Sequence, residues 1–185
     1  MKLIPIILII LSYFFIDKNI AIYFHTHQEY QNIAKFITQF GKAEYFLIPS
    51  FLIFLIFKNK KALFLFYSVL LSGVLAIIIK IIVARYRPTI FFSEHLYGFK
   101  GFDIGFLVNS FPSGHTTTAF SGFVMLGLFW PKYKYIFLFL AIIIGISRII
   151  LGVHYLSDVI AGAVLGSLVS YKIYQQREKL CKKWR

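Results

Sequence analysis

The stretch "ALFLFYSVLLSGVLAIIIKIIV", residues 62–83, decides the fold. It carries a single charge, Lys80, and as a helix it is long enough to cross a hydrocarbon layer about 30 Å thick. Outward from it, charged punctuation separates five more apolar runs at roughly 3–16, 44–57, 115–130, 135–151 and 153–171. The chain is 59% hydrophobic and 19% aromatic, with a mean hydropathy of +0.76, well above a soluble domain. These features predict an all-α, six-helix transmembrane bundle forming a single membrane-embedded domain over residues 1–185. The first run follows Met1-Lys2 as a signal-peptide core does. However, "FFIDKNIAIYF" (14–24) offers no small-residue cleavage site, so the run is read as a helix.

The formal charge is +13, from 20 Lys and Arg against 7 Asp and Glu. Basic nucleic-acid binders do not carry several bilayer-length apolar runs, so no nucleic acid is expected as a partner. The charge is read instead as a topology signal, with attraction to anionic lipid. Positive residues gather in the connectors "KNKK" (58–61) and "PKYK" (131–134), at Lys2, and in the tail "YKIYQQREKLCKKWR" (171–185). Six helices with both termini cytoplasmic put all of these on one side. Lys80, Arg85, Arg87, His115, Arg148, His154 and Asp158 then lie toward the outer face. The lone Cys181 excludes an intramolecular disulfide and a cysteine metal cluster, and His25 and His27 lack a third partner, so neither metal nor cofactor is expected. No obligate protein partner is evident, and neither a repeat nor a low-complexity linker is present.

Two segments outside the spans stand out. Ile33, Phe36, Ile37 and Phe40 follow helical spacing, which fits either an amphipathic helix in the interface or a packed connector. Residues 89–111 hold Phe91, Phe92, Tyr97, Phe99, Phe102, Phe106 and Phe111, too many aromatic rings for a solvated loop. They are expected to lie against lipid.

Charges are costly inside a bilayer, so those within the runs call for a reason. Lys80 and Arg87 are seven residues apart, nearly one helical face, and their long side chains can converge on one anion. Pro88 ends that helix, and Arg85, facing elsewhere, is read as snorkelling to the interface. His154 and Asp158, four apart at the start of the last run, place a carboxylate where it fixes the imidazole tautomer and leaves the other ring nitrogen as a base or nucleophile. In "NSFPSGHTTTAF" (109–120), Pro112 suits a helix start, while Ser113 and Gly114 offer a hydroxyl and backbone N–H groups to an anion. Thr116, Thr117 and Thr118 are assigned capping or packing. Gly152 is expected to separate the last two helices, and Gly162 with Gly166 to let the last one pack closely.

Three pieces, "KIIVARYRP" (80–88), "PSGH" (112–115) and "SRIILGVHYLSD" (147–158), together resemble the signature of the membrane-bound type 2 phosphatidic acid phosphatases, relatives of vanadium haloperoxidases and bacterial class A acid phosphatases. The resemblance implies that Lys80, Arg87 and Arg148, with Ser113 and the Gly114 backbone, bind phosphoryl oxygens. It further implies that His154 attacks phosphorus, Asp158 orients it, His115 protonates the leaving oxygen, and water hydrolyses the phosphohistidine. The expected function is a metal-independent phosphatase for a lipid phosphate or diphosphate at the outer face of a bacterial cytoplasmic membrane. Lipid A 1-phosphate, undecaprenyl diphosphate, phosphatidylglycerophosphate and phosphatidic acid are the candidate substrates. A lipid phosphotransferase using the same site is the alternative; a small transporter or lipid-binding membrane protein is a more distant one.

Overall fold

The computed structural model describes residues 3–183, and side chains as far as residue 177. Of the basic residues assigned to the inner face, Lys2 and Arg185 lie outside the described residues. The side chains of Lys179, Cys181, Lys182 and Lys183 do as well. Among the described residues all regular secondary structure is helical, apart from one isolated antiparallel bridge between Arg85 and Phe99.

The first run is longer than expected. Helix α1 (Ile4–Leu11) passes through a π-helical turn, Ser12–Ile16, directly into α2 (Asp17–Thr26). The apolar count stops at residue 16 because Asp17, Lys18 and Asn19 come next; the helix continues because Asp17 is buried inside the protein. A π turn inserts a residue and rotates the helix beyond it, and here Ser12, its first residue, and Asp17, just after it, are buried.

Helix α3 (Gln31–Gln39) and α4 (Glu44–Phe57) are joined by a tight corner. Ala34 and Thr38 of α3 are buried and Ile37 packs on the bundle core, whereas Ile33, Phe36 and Phe40 point outward. The segment is therefore packed along one face and apolar along the other. Asn59 caps α5 (Lys60–Val83) by accepting from the Lys61 N–H at 2.9 Å, which makes the "KNKK" connector a tight turn. Beyond α5 come the short α6 (Pro88–Glu94), then α7 (Gly114–Phe129), α8 (Lys134–Ile150) and α9 (Leu156–Lys183). Gly152 turns between α8 and α9 at φ +62°, a left-handed conformation that side chains disfavour.

Among the described residues, five helical segments are long and apolar enough to cross a membrane: 4–26, 31–57, 60–83, 131–150 and 156–177. Helix α7, the expected fourth span, has 16 residues, fewer than the ~20 a full crossing takes. It is also the central pillar, packed against α5, α8 and α9. A Cβ on Gly162 would lie 2.7 Å from the Ser113 carbonyl oxygen, and one on Gly166 would come closer still to that of Thr117, so α9 touches α7 backbone to backbone. Across the same contact Ser68 of α5 shares hydrogen bonds of 2.8 Å with Ser121 of α7 and with Ser170 of α9. Small residues and hydroxyls join the pillar to its neighbours, as suits helices that gain little from apolar burial in lipid.

Candidate active site

The site forms at the end of the bundle where α5 and α8 finish and α7 and α9 begin. Helix α5 ends at Val83, and Ala84 in a left-handed conformation turns the chain out of it. Lys80 is therefore helical but Arg87 is not: it is extended and precedes Pro88, the first residue of α6. The pair does not share a helical face, yet the two side chains do meet. Lys80 Nζ donates to the Asn109 carbonyl at 2.7 Å and Arg87 Nη2 to the same oxygen at 3.2 Å. Arg87 also donates through Nε to Phe106 O (2.9 Å) and through Nη1 to Val153 O (3.2 Å), with Phe106 against its guanidinium face.

Arg148, on the last turn of α8, donates to Thr38 Oγ1 at 2.6 Å. Thr38 carried no motif signal; only its place on the inward face of α3 marks it. His115 sits in the first turn of α7 against Gly41 of the α3–α4 corner, within electrostatic reach of Arg148, Lys42, Lys80 and Arg87. Lys42 is thus a fourth cation near the site, paired loosely with Glu44 at 3.8 Å. Ser113 is the N-cap residue of α7, so Pro112 stands just outside the helix, and Gly114 is its first residue, next to the Lys80 side chain. The Ser113 N–H is committed to the Asp158 carbonyl at 3.0 Å. Its hydroxyl accepts from Thr116 at 2.9 Å, and its carbonyl accepts from the Thr117 hydroxyl at 2.9 Å. Two of the three threonines thereby brace the turn that presents Ser113.

His154 lies in the turn before α9, not on the helix, so spacing alone does not explain its pairing with Asp158. Its Nδ1 faces Asp158 Oδ2 at 3.7 Å and Ser110 Oγ at 3.4 Å. Ser110 donates to that carboxylate oxygen at 2.6 Å, and the Tyr155 N–H donates to it at 2.9 Å. Ser110 stands within the quoted "NSFPSGH" stretch, but nothing in the sequence separates it from a structural serine.

The largest departure is Arg85, which does not snorkel. It is fully buried, donating from Nη1 to Asp158 Oδ1 at 2.5 Å and to Ser157 Oγ at 2.6 Å, and from Nη2 to Asp17 Oδ2 at 2.7 Å. Tyr155 and Tyr13 flank the guanidinium at 4.4 and 5.0 Å, and the Tyr97 hydroxyl lies 3.3 Å from Nη2. Burial alone would lower its pKa, but the Asp158 and Asp17 carboxylates reverse this and hold it above the ordinary arginine value. Burial lowers the pKa of Arg87, and Asp158 offsets that only in part. The aromatic segment divides accordingly: Tyr97 and the half-exposed Phe99 stack on Tyr13, while Phe102 and Phe106 are 79% and 72% exposed.

A family model of the PAP2 superfamily matches residues 61–182. The chain belongs to the PAP2 superfamily. It is 39% identical over 107 residues to a lipid A 1-phosphatase from Rhizobium johnstonii, covering 58% of this chain and 44% of the relative. With an undecaprenyl-diphosphatase from Sulfolobus acidocaldarius the identity is 36% over 140 residues, covering 74% and 65%. The chain thus spans about half the length of the curated relatives it matches. The crystal structure of Aquifex aeolicus LpxE superimposes with a TM-score of 0.70 at 25% identity, over 88% of this chain and 96% of that one. Among the described residues, no three His, Cys, Asp or Glu side chains group to hold a metal ion.

Proposed function

We propose that this PAP2 protein is a metal-independent phosphatase of lipid phosphates or diphosphates, with residues 1–185 acting as one membrane-embedded catalytic domain. The observation that carries the reading is the meeting of Lys80 and Arg87 at one carbonyl beside His154, whose Nδ1 is turned to Asp158 and Ser110. Cations without carboxylate partners suit a phosphoryl group whose charge is spread over three equatorial oxygens. Lys80, Arg87 and Arg148 bind those oxygens, aided by the Ser113 hydroxyl and the Gly114 N–H at the start of α7. With Nδ1–H turned toward Asp158 and Ser110, the Nε2 lone pair of His154 attacks phosphorus. The bond to the leaving oxygen breaks as His115 gives that oxygen its proton. Water then attacks the phosphohistidine, His115 takes up the water's proton, and the P–N bond breaks to release phosphate and regenerate the imidazole.

The substrate class draws on three supports: the apolar helices, the exposed Phe106 against Arg87 with the exposed Phe102 on the same segment, and the names of the relatives. Lipid A 1-phosphate, undecaprenyl diphosphate and phosphatidylglycerophosphate are the candidates to compare. In detergent micelles containing EDTA, the purified protein is expected to release inorganic phosphate from at least one of them. His154→Ala and Arg148→Ala should abolish that release. Full activity in either variant, or a strict metal requirement, would overturn the mechanism, and release that depends on an added acceptor hydroxyl would assign a phosphotransferase. The location proposed is an inner membrane, with α7 as a short crossing added to the five long ones, both termini cytoplasmic and the site facing outward, supported by the positive connectors. A membrane-impermeant thiol reagent should label a cysteine placed at Ser93 in intact cells and Cys181 only after permeabilisation; the reverse pattern inverts the orientation.

A further inference from the structure

We infer that Asp17, acting through Arg85, is a positioning residue for the His154–Asp158 pair, so that the first span completes the site. The inference rests on the phosphatase reading above. Arg85 and Asp158 lie within the region matched by the family model, residues 61–182; Asp17 lies well before it.

The geometry gives each oxygen of Asp158 its own task. Oδ1 accepts from Arg85 Nη1 at 2.5 Å, while Oδ2 accepts from Ser110 and from the Tyr155 N–H and faces His154. The carboxylate plane, and with it the direction offered to Nδ1, is thus set by where the guanidinium sits. Arg85 is fixed in turn by Asp17, whose Oδ2 accepts from Nη2 at 2.7 Å. Ser157 ties the two together: its N–H donates to Asp17 Oδ1 at 3.0 Å, its hydroxyl donates to Asp17 Oδ2, and Arg85 Nη1 donates to that hydroxyl at 2.6 Å. Asp17, Arg85, Ser157 and Asp158 are all at most 1% exposed. One end of this chain is the N-terminal helix and the other is the carboxylate that faces His154.

Charge gives the arrangement a chemical consequence. Two carboxylates share one guanidinium, so the cluster behind His154 carries one net negative charge in a site with little water. The imidazole gains positive character as its Nε2 bonds to phosphorus, and Lys80 and Arg87, which face the same ring, oppose this. With Asp17 neutral, Arg85 balances Asp158 one for one, and the net negative charge that favours the phosphorylated ring is gone. The phosphate contacts of Lys80, Arg87 and Arg148 do not involve Asp17.

The test is Asp17→Asn in the full chain, with the wild type and Asp17→Glu measured alongside, using phosphate release from micellar lipid substrate. The expected result is a kcat about tenfold lower with KM unchanged, the scale of loss when a group supporting an orienting residue is removed. The acid limb of the pH–rate profile should move to lower pH, because removing negative charge disfavours the protonated imidazole; Asp17→Glu should recover part of the rate and return the limb. A variant with wild-type kcat, a loss confined to KM, or an unmoved acid limb overturns the inference. A purely packing role would change yield and thermal stability without splitting kcat from KM. Should Asp17→Asn fail to fold, Arg85→Lys keeps the charge but cannot span both carboxylates, and it must show the same kcat loss at constant KM or the inference fails. Wild-type protein silent on every lipid overturns the phosphatase reading and this inference together, whereas an active wild type with an indifferent Asp17→Asn overturns the inference alone.

Discussion

Arg85 and Arg87 are two residues apart on one short segment, and their surroundings are opposite. Arg85 meets two carboxylates and a serine hydroxyl in a fully enclosed aromatic box. Arg87 donates its hydrogen bonds to backbone carbonyls, and among the described residues no carboxylate comes within ion-pair distance of it, of Lys80 or of Arg148. A buried cation with matched anions is part of the framework, since removing it strands the anions. Cations gathered without anions repel one another, and the phosphate proposed to bind there would relieve them. The contrast separates holding from binding, a distinction that residue type alone conceals.

Paired replacements test that contrast, starting with the larger effect. Arg85→Met leaves Asp17 and Asp158 buried without their common partner and should cost about 3–5 kcal/mol of stability. Thermal unfolding in detergent should show this with or without ligand present. Lys80→Met, nearly the same shape, removes one of several mutually repelling cations, so stability should hold or rise. Phosphate release should nonetheless fall about 10²–10³-fold, as when one charge-stabilising donor is lost. Orthovanadate, as a phosphate mimic, should raise the unfolding temperature of the wild type and not that of Lys80→Met, since only a ligand bound to the folded state stabilises it. A Lys80→Met protein as unstable as Arg85→Met would erase the distinction between the two clusters.

How far the sequence reveals the site is shown by the same pair of arginines. Lys80, Arg87, His115, Arg148, His154 and Asp158 stand out because ionisable residues in apolar runs demand a reason, and the structure gathers them at one end of the bundle. The apolar runs likewise anticipate α4, α5, α7 and α8 to within a few residues. Two inferences from helical spacing do not hold. Lys80 and Arg87 meet across a helix end, and His154 reaches Asp158 from a turn, because irregular backbone brings them together where a straight helix was assumed. Asp17 escapes notice since it looks like the polar end of a short run; it is buried directly after a π turn, which no periodicity announces. Thr38 and Ser110 are common polar residues whose roles exist only through partners 110 and 48 residues away along the chain.

Ser110 stands between the two clusters and supplies the smallest of these effects. Its hydroxyl donates to Asp158 Oδ2 at 2.6 Å, the oxygen facing His154, while the opposite oxygen is held by Arg85. Ser110→Ala leaves every charge in place and removes one restraint on the carboxylate, together with the second acceptor near His154 Nδ1. A single hydrogen bond of this kind contributes about 1 kcal/mol, so kcat should fall by roughly a factor of five to ten, with vanadate protection retained. If Ser110→Ala instead loses vanadate protection while keeping kcat, the serine belongs with the phosphate-binding cations. Asp158 would then be positioned by Arg85 and the Tyr155 N–H alone, and the division between holding and binding would run between Ser110 and Asp158.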